Sequence, residues 1–165
     1  VLGAVALAAV CDALSAADRD ALADRERALT TRLRNGLTAI DGVVELSLFE
    51  ASENRAGRSG VPGAERVGIA AFAVAGLDSD VLAAALSAEY GIGVRDGLFC
   101  AHPLTRRLLR STAGLPRTAV RASIGLGTTE AEVDRLVGAV AELAARGPRC
   151  RYEQVDGRPQ PVTGS

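Results

Sequence analysis

Apolar residues run almost unbroken through residues 2–14, where Ala, Leu and Val follow one another with no breaker after Gly3, and that continuity predicts a buried helix. The pattern then changes. Ser15 is a plausible N-cap, and Asp18 stands three residues on, where its charge suits a helix N-terminus. Leu22, Leu29, Leu33 and Leu37 recur at spacings of four and seven with arginines and acids on the other face, so a second, amphipathic helix is predicted to about residue 37. Asp41-Gly42 signals a turn. From residue 43 to 49 the period shortens to two, with Val44, Leu46 and Leu48 against Val43, Glu45 and Ser47, the mark of a half-buried strand. Residues 51–65, with Asn54, Gly57, Gly60, Pro62 and Gly63, read as a surface loop.

Residues 66–74 are near-continuously apolar and predict a central strand. Asp78 or Ser79 caps a helix over 80–90 that Gly91 ends. A short strand is expected at 92–95. An irregular stretch over 97–118 follows, with a helical turn at 104–110, and then a strand at 119–126. Thr128 or Thr129 begins the last helix. Thr129 and Glu132 fit a capping box, and Val133, Leu136, Val137, Val140 and Leu143 form one apolar stripe. Gly147-Pro148 stops that helix, and residues 149–165 read as an extended or frayed polar tail. The order predicts an α+β fold of two layers, a mostly antiparallel sheet covered by helices. The expected division is a helical segment at 1–41, an α+β domain at 42–147 and the tail at 148–165.

Composition narrows the function classes. Apolar residues make up 48% of the 165-residue chain and charged residues 24%, enough for a packed core. Aromatics are only 3%, which argues against recognition of single-stranded nucleic acid by stacking. The net charge is −1 with arginines scattered among acids, so no phosphate-backbone footprint is present. The apolar start is about half of what a membrane-spanning helix needs and lacks a basic leader, so neither a membrane span nor a signal peptide is expected. Cys11, Cys100 and Cys150 form no C-x-x-C pair, and reduced thiols in a cytoplasmic setting are the default. Cys11, on its apolar helix, is expected in the core. Glu130, Glu132 and Asp134 sit in a first helical turn, where acids suit the helix dipole better than they suggest a metal site.

Every basic side chain other than His102 is arginine, because the sequence contains no lysine. The simplest account is the codon bias of a GC-rich genome. A P-loop is excluded for want of its lysine. The chain has no methionine and opens within an apolar helical pattern, as an excised or truncated piece would.

Two stretches carry chemistry: Val94-Arg95-Asp96-Gly97-Leu98-Phe99-Cys100-Ala101-His102-Pro103-Leu104, and Val120-Arg121-Ala122-Ser123 leading to Thr129-Glu130-Ala131-Glu132-Val133-Asp134-Arg135-Leu136. Together they resemble the C-terminal domain of class V aminotransferases, the pyridoxal-phosphate family that includes cysteine desulfurases and selenocysteine lyases. The resemblance runs from about residue 1 to 143. It implies the small domain of a fold-type I enzyme acting on an amino acid, a homodimer, and a cofactor held by a lysine in a large domain. The family's lysine, its cofactor-ring aspartate and its stacking histidine have no counterpart in this sequence.

By the same resemblance Arg121 binds the substrate α-carboxylate, a role that suits a planar, always charged fork of donors. From its residues alone, Arg121 reads equally as a sheet-edge arginine reaching a surface acid. Arg95 is implied at the mouth of the site, and a salt bridge that fixes the following loop is the other reading. In the desulfurases the cysteine matching Cys100 takes sulfur from cofactor-bound cysteine, becomes a persulfide and leaves alanine behind. Here Leu98 and Phe99 precede it where histidines are common, so Cys100 reads either as a persulfide acceptor or as a cysteine retained beside another reaction. His102 reads as a loop hydrogen-bonding residue or a contact on the substrate side. The reaction stays open among sulfur or selenium removal, transamination, and racemisation or elimination. A non-catalytic α+β module that binds a small ligand or a protein is the alternative to an enzyme.

Overall fold

The computed structural model describes residues 2–47, 67–110 and 112–162. Its elements in chain order are α1 (Leu2–Ala16), α2 (Arg19–Thr38), β1 (Val43–Glu45), β2 (Ile69–Val74), α3 (Ser79–Tyr90), β3 (Arg95–Gly97), α4 (His102–Arg110), β4 (Ala119–Ser123), α5 (Glu130–Arg146), β5 (Tyr152–Val155) and β6 (Arg158–Pro161). Four strands form one antiparallel sheet in the order β1-β2-β4-β3, so the fold is α+β as the pattern predicts. The apolar β2 is central, paired with β1 on one side and β4 on the other. The expectations for Leu48, Phe49, residues 51–65 and Arg66 lie outside the described residues.

Strand alternation sorts the sheet into two faces. Ala70, Phe72 and Val74 of β2, Val120 and Ala122 of β4 and Val43 of β1 join one buried cluster with Leu29, Leu33 and Leu37 of α2, Leu82 and Leu86 of α3, and Leu136, Val140 and Leu143 of α5. This is the inner face. Phe72 is wholly buried at its centre. Helices α2 and α5 cross so closely that a Cβ on Gly36 would lie 2.7 Å from a Val137 methyl. At the margin, the Arg34 Nε donates to Glu45 Oε1 over 2.6 Å, an ion pair with side chains only 15% and 5% exposed.

Helix ends follow the sequence signals in most places. Thr129 and Glu132 form the reciprocal capping box of α5, and Gly91 ends α3 in the left-handed region. For α2 the cap is Asp18, which accepts from Ala21 N over 3.0 Å, and not Ser15. The carboxylate is the better acceptor for the free N–H groups at a positive helix end.

Four expectations need correction. Helix α1 forms as predicted but is not buried: Leu2, Val5, Leu7, Val10 and Leu14 are all exposed, and so is Cys11. Apolar composition creates a demand for burial, and no described part of this chain meets it. The third strand is Arg95–Gly97, not 92–95, because Ile92 and Val94 pack against the core before pairing with β4 begins. A full helix, α4, replaces the expected single turn, and its buried Leu109 meets Ala73 and Ala119 on the outer face of the sheet. The described part of the polar tail is an ordered hairpin, β5-β6, whose Asp156-Gly157 turn has both residues at positive φ.

Glu89 of α3 anchors that hairpin, accepting from Arg149 N, Cys150 N and the Tyr152 hydroxyl. Burial, then the Glu89 carboxylate, pushes the Tyr152 phenol well above its ordinary range. No helix among the described residues is long and apolar enough to cross a membrane.

Candidate functional site

Among the described residues, the outer face of the sheet carries a smaller buried cluster than the inner one. Ala71 and Ala73 of β2 and Ala119 and Arg121 of β4 alternate away from the helix-packed core. Arg121 lies opposite Ala71 on one side and opposite Arg95 on the other, so the three side chains stand in a row on this face. The two arginines are direct cross-strand neighbours, an arrangement that repels. Neither has an ion-pair partner among the described residues. Arg121 is half-buried, and its Nε is fully buried with no hydrogen-bond partner among the described residues. An unmet, buried, charged donor is costly, because a guanidinium always carries its protons and needs acceptors.

After β3 the chain makes a tight turn. The Ala101 N–H donates to Leu98 O over 2.8 Å, and the two central residues, Phe99 and Cys100, lie at φ 55° and 59°. Positive φ at both central positions is the pattern of a type I′ turn, which normally recruits Gly, Asn or Asp. Two residues with full side chains in that region store backbone strain. The Thr105 hydroxyl holds the turn by donating to Leu98 O over 3.3 Å, and Thr105 N bonds Ala101 O over 2.9 Å. The result places the Phe99 ring over the Arg121 guanidinium, its centroid 5.7 Å from Cζ. Cys100 follows at the exposed tip of the turn.

Of the four residues singled out by sequence, the fold brings Arg95 and Arg121 together on one face. Cys100 joins them through the turn that carries Phe99. Arg95 also borders a cleft of about 750 Å³ between α3, β3 and β6, lined in part by Asp80, Asp96 and Arg158. His102 opens α4, exposed, with Pro103 in the first turn where a missing N–H costs nothing. Its imidazole makes no hydrogen bond among the described residues.

The acidic first turn of α5 is committed elsewhere. Glu132 accepts from Thr129, which holds its carboxyl below the ordinary range, and Arg32 does the same for Asp134. No group of three or more metal-ligating side chains occurs among the described residues. Phe99 is the site residue that sequence reading treats only as an apolar neighbour of the cysteine.

A family profile described as aminotransferase class-V matches residues 1–136. The chain belongs to the class-V aminotransferase family. Two curated relatives carry the name probable cysteine desulfurase. The one from Xylella fastidiosa is 29% identical over 87% of this chain, and the one from Pseudomonas putida 31% identical over 85%. In each case the chain spans 29% of the relative's length. Among solved structures, the cysteine desulfurase CsdA of Escherichia coli superposes with a TM-score of 0.56 at 27% identity, covering 78% of this chain and 27% of that one. The apo cysteine desulfurase of Thermococcus onnurineus gives 0.56 at 26% identity, covering 73% and 25%.

The family generally depends on pyridoxal phosphate, which a lysine amine holds as a Schiff base. This class-V chain contains no lysine, and the cations on its candidate face are guanidiniums, which do not serve as that amine. Its own residues therefore do not fit the cofactor's anchoring role, and no step through the cofactor is assigned to them.

Proposed function

We propose that this chain is the C-terminal part of a class-V enzyme that acts on an amino acid, with pyridoxal phosphate held by a region outside the chain. The observation that carries the reading is Arg121: a half-buried guanidinium on the outer face of the sheet with no hydrogen-bond or ion-pair acceptor among the described residues. A substrate carboxylate is the acceptor such a fork fits. Arg95, opposite it, adds positive potential at the same face and draws an anionic substrate in. Cys100, exposed on the neighbouring turn, is the nucleophile available there, and the names of the relatives favour sulfur transfer to it. In this reading His102 stands at the rim as a contact on the substrate side, and α1 covers its apolar surface against the rest of the protein. The enzyme is a cytoplasmic homodimer, and this chain by itself is inactive.

One preparation of the full-length protein tests both assignments. Arg121→Ala is expected to raise the KM for the amino acid about 100-fold, as loss of a two-bond charged contact requires. An unchanged KM removes Arg121 from the substrate site. After turnover with L-cysteine, mass spectrometry is expected to find one added sulfur on Cys100, and its absence there ends the sulfur-transfer reading.

A further inference from the structure

We infer that Phe99 is a positioning residue that holds the Arg121 guanidinium in place for carboxylate binding. The inference rests on the assignment of Arg121 above and deepens it. Three observations converge. Phe99 occupies a backbone conformation that any residue with a Cβ disfavours, at φ 55°, so its presence there is not explained by the turn's own stability. Its ring is anchored by packing against the buried Ala73, Leu109 and Ala119, so the ring is held and not free to swing. And it lies over the guanidinium at 5.7 Å.

The consequence follows from the chemistry of the cation. A guanidinium needs strong oxygen acceptors for its N–H donors, and an aromatic face attracts the cation without supplying one. Phe99 thus attracts the cation without accepting from the fork as a carboxylate would, and leaves its donors for a substrate carboxylate. It also answers a local problem. Arg95 stands directly opposite Arg121 and pushes it away, while Ala71 on the other side is too small to brace it. The ring supplies the brace, and the strained turn is what delivers the ring. Leu at this position would keep much of the packing but not the flat, electron-rich surface.

The test uses the full-length holoenzyme and two probes that differ by one carboxylate, L-alanine and ethylamine, with affinities read by calorimetry. Phe99→Leu is expected to weaken L-alanine binding about 3–10-fold, the range of a partly desolvated cation–π contact, and to leave ethylamine unchanged. Phe99→Tyr keeps the ring and is expected to restore L-alanine binding to within twofold of wild type. Arg121→Ala runs alongside as the reference. If Arg121→Ala weakens L-alanine binding and Phe99→Leu does not, the inference on Phe99 fails and the carboxylate assignment stands. If Arg121→Ala changes nothing, the assignment itself fails and takes the inference with it. Equal loss for both probes in Phe99→Leu would mean general packing and would also overturn the inference.

Discussion

On the inner face of the sheet, Phe72, Val74, Val120 and Ala122 meet leucines from three helices. On the outer face the same two strands carry Ala71, Ala73, Ala119 and Arg121, and the described cover is α4, the strained turn, Leu46 and Leu115. The first set of choices is what burial alone selects. The second set contains a buried donor with no acceptor among the described residues, two arginines side by side, and two full side chains at positive φ. None of these is favoured by stability, and all lie within a few residues of one another. Glu45 Oε2 and the Tyr90 hydroxyl, at the margin of the inner face, are also buried without a partner among the described residues, but the outer face combines three such departures, and a function is to be sought there.

Substitution on the two faces separates them most sharply. Phe72→Ala empties the centre of the inner cluster and is expected to cost about 3–5 kcal/mol, the range for a buried phenylalanine. Arg121→Ala, on the next strand, is expected to leave the urea midpoint unchanged or raise it, because it removes an unpartnered donor and a repulsive neighbour. A loss in Arg121→Ala as large as in Phe72→Ala would show that both faces serve stability alike, and the contrast would collapse.

The margin of the inner face gives a second, somewhat smaller test. Arg34 and Glu45 are paired there with little exposure to solvent. Removing one partner leaves the other charge buried, so Glu45→Ala is expected to cost about 3 kcal/mol. Replacing both, with Arg34→Met added, is expected to recover most of that loss, since neither member of the buried pair then carries a charge. A double variant no better than the single one would mean that the pair is not what holds β1 to α2.

The inner face was legible because its signals are periodic. The Leu29–Leu33–Leu37 spacing, the apolar run of β2 and the stripe through Val133, Leu136 and Val140 each state which side is buried, and the core follows. The outer face was legible only in part. Arg121 and Cys100 stand in recognisable motifs, but nothing in the order Leu98-Phe99-Cys100 announces that two residues without glycine will enter the left-handed region. That conformation is supported by the local Thr105 bonds and by packing of Phe99 against Ala73, Leu109 and Ala119, and that packing is a tertiary fact.

Helix α1 misled for a related reason. Its composition reports that it needs burial, and composition does not say whether the partner lies in the same described chain. The hairpin at the C-terminus is different, because its Asp156-Gly157 signal was present and was outweighed by the polarity of the surrounding residues.

The smallest expected effect concerns the start of α5, where the inner face meets solvent. The Thr129 hydroxyl accepts from Glu132 N, and the Glu132 carboxylate accepts from Thr129 N over 2.8 Å. Thr129→Ala is expected to cost about 1 kcal/mol, the ordinary worth of such a cap. The same box predicts a pH signature. Hydrogen bonds from Thr129 lower the Glu132 pKa in the folded protein, so the ionised form is preferred there over the unfolded chain. That contribution is present above the ordinary carboxylate value and is lost as the pH falls through the lowered one, which places the change below about pH 4. Asp134, lowered by Arg32, acts in the same direction and the same window. Urea midpoints measured from pH 7 down to pH 3 are therefore expected to fall more steeply in the wild type than in Thr129→Ala. The two curves should converge as the acids protonate. Parallel curves would show that the Thr129 N–H, which the variant keeps, carries the lowered Glu132 pKa without help from the hydroxyl.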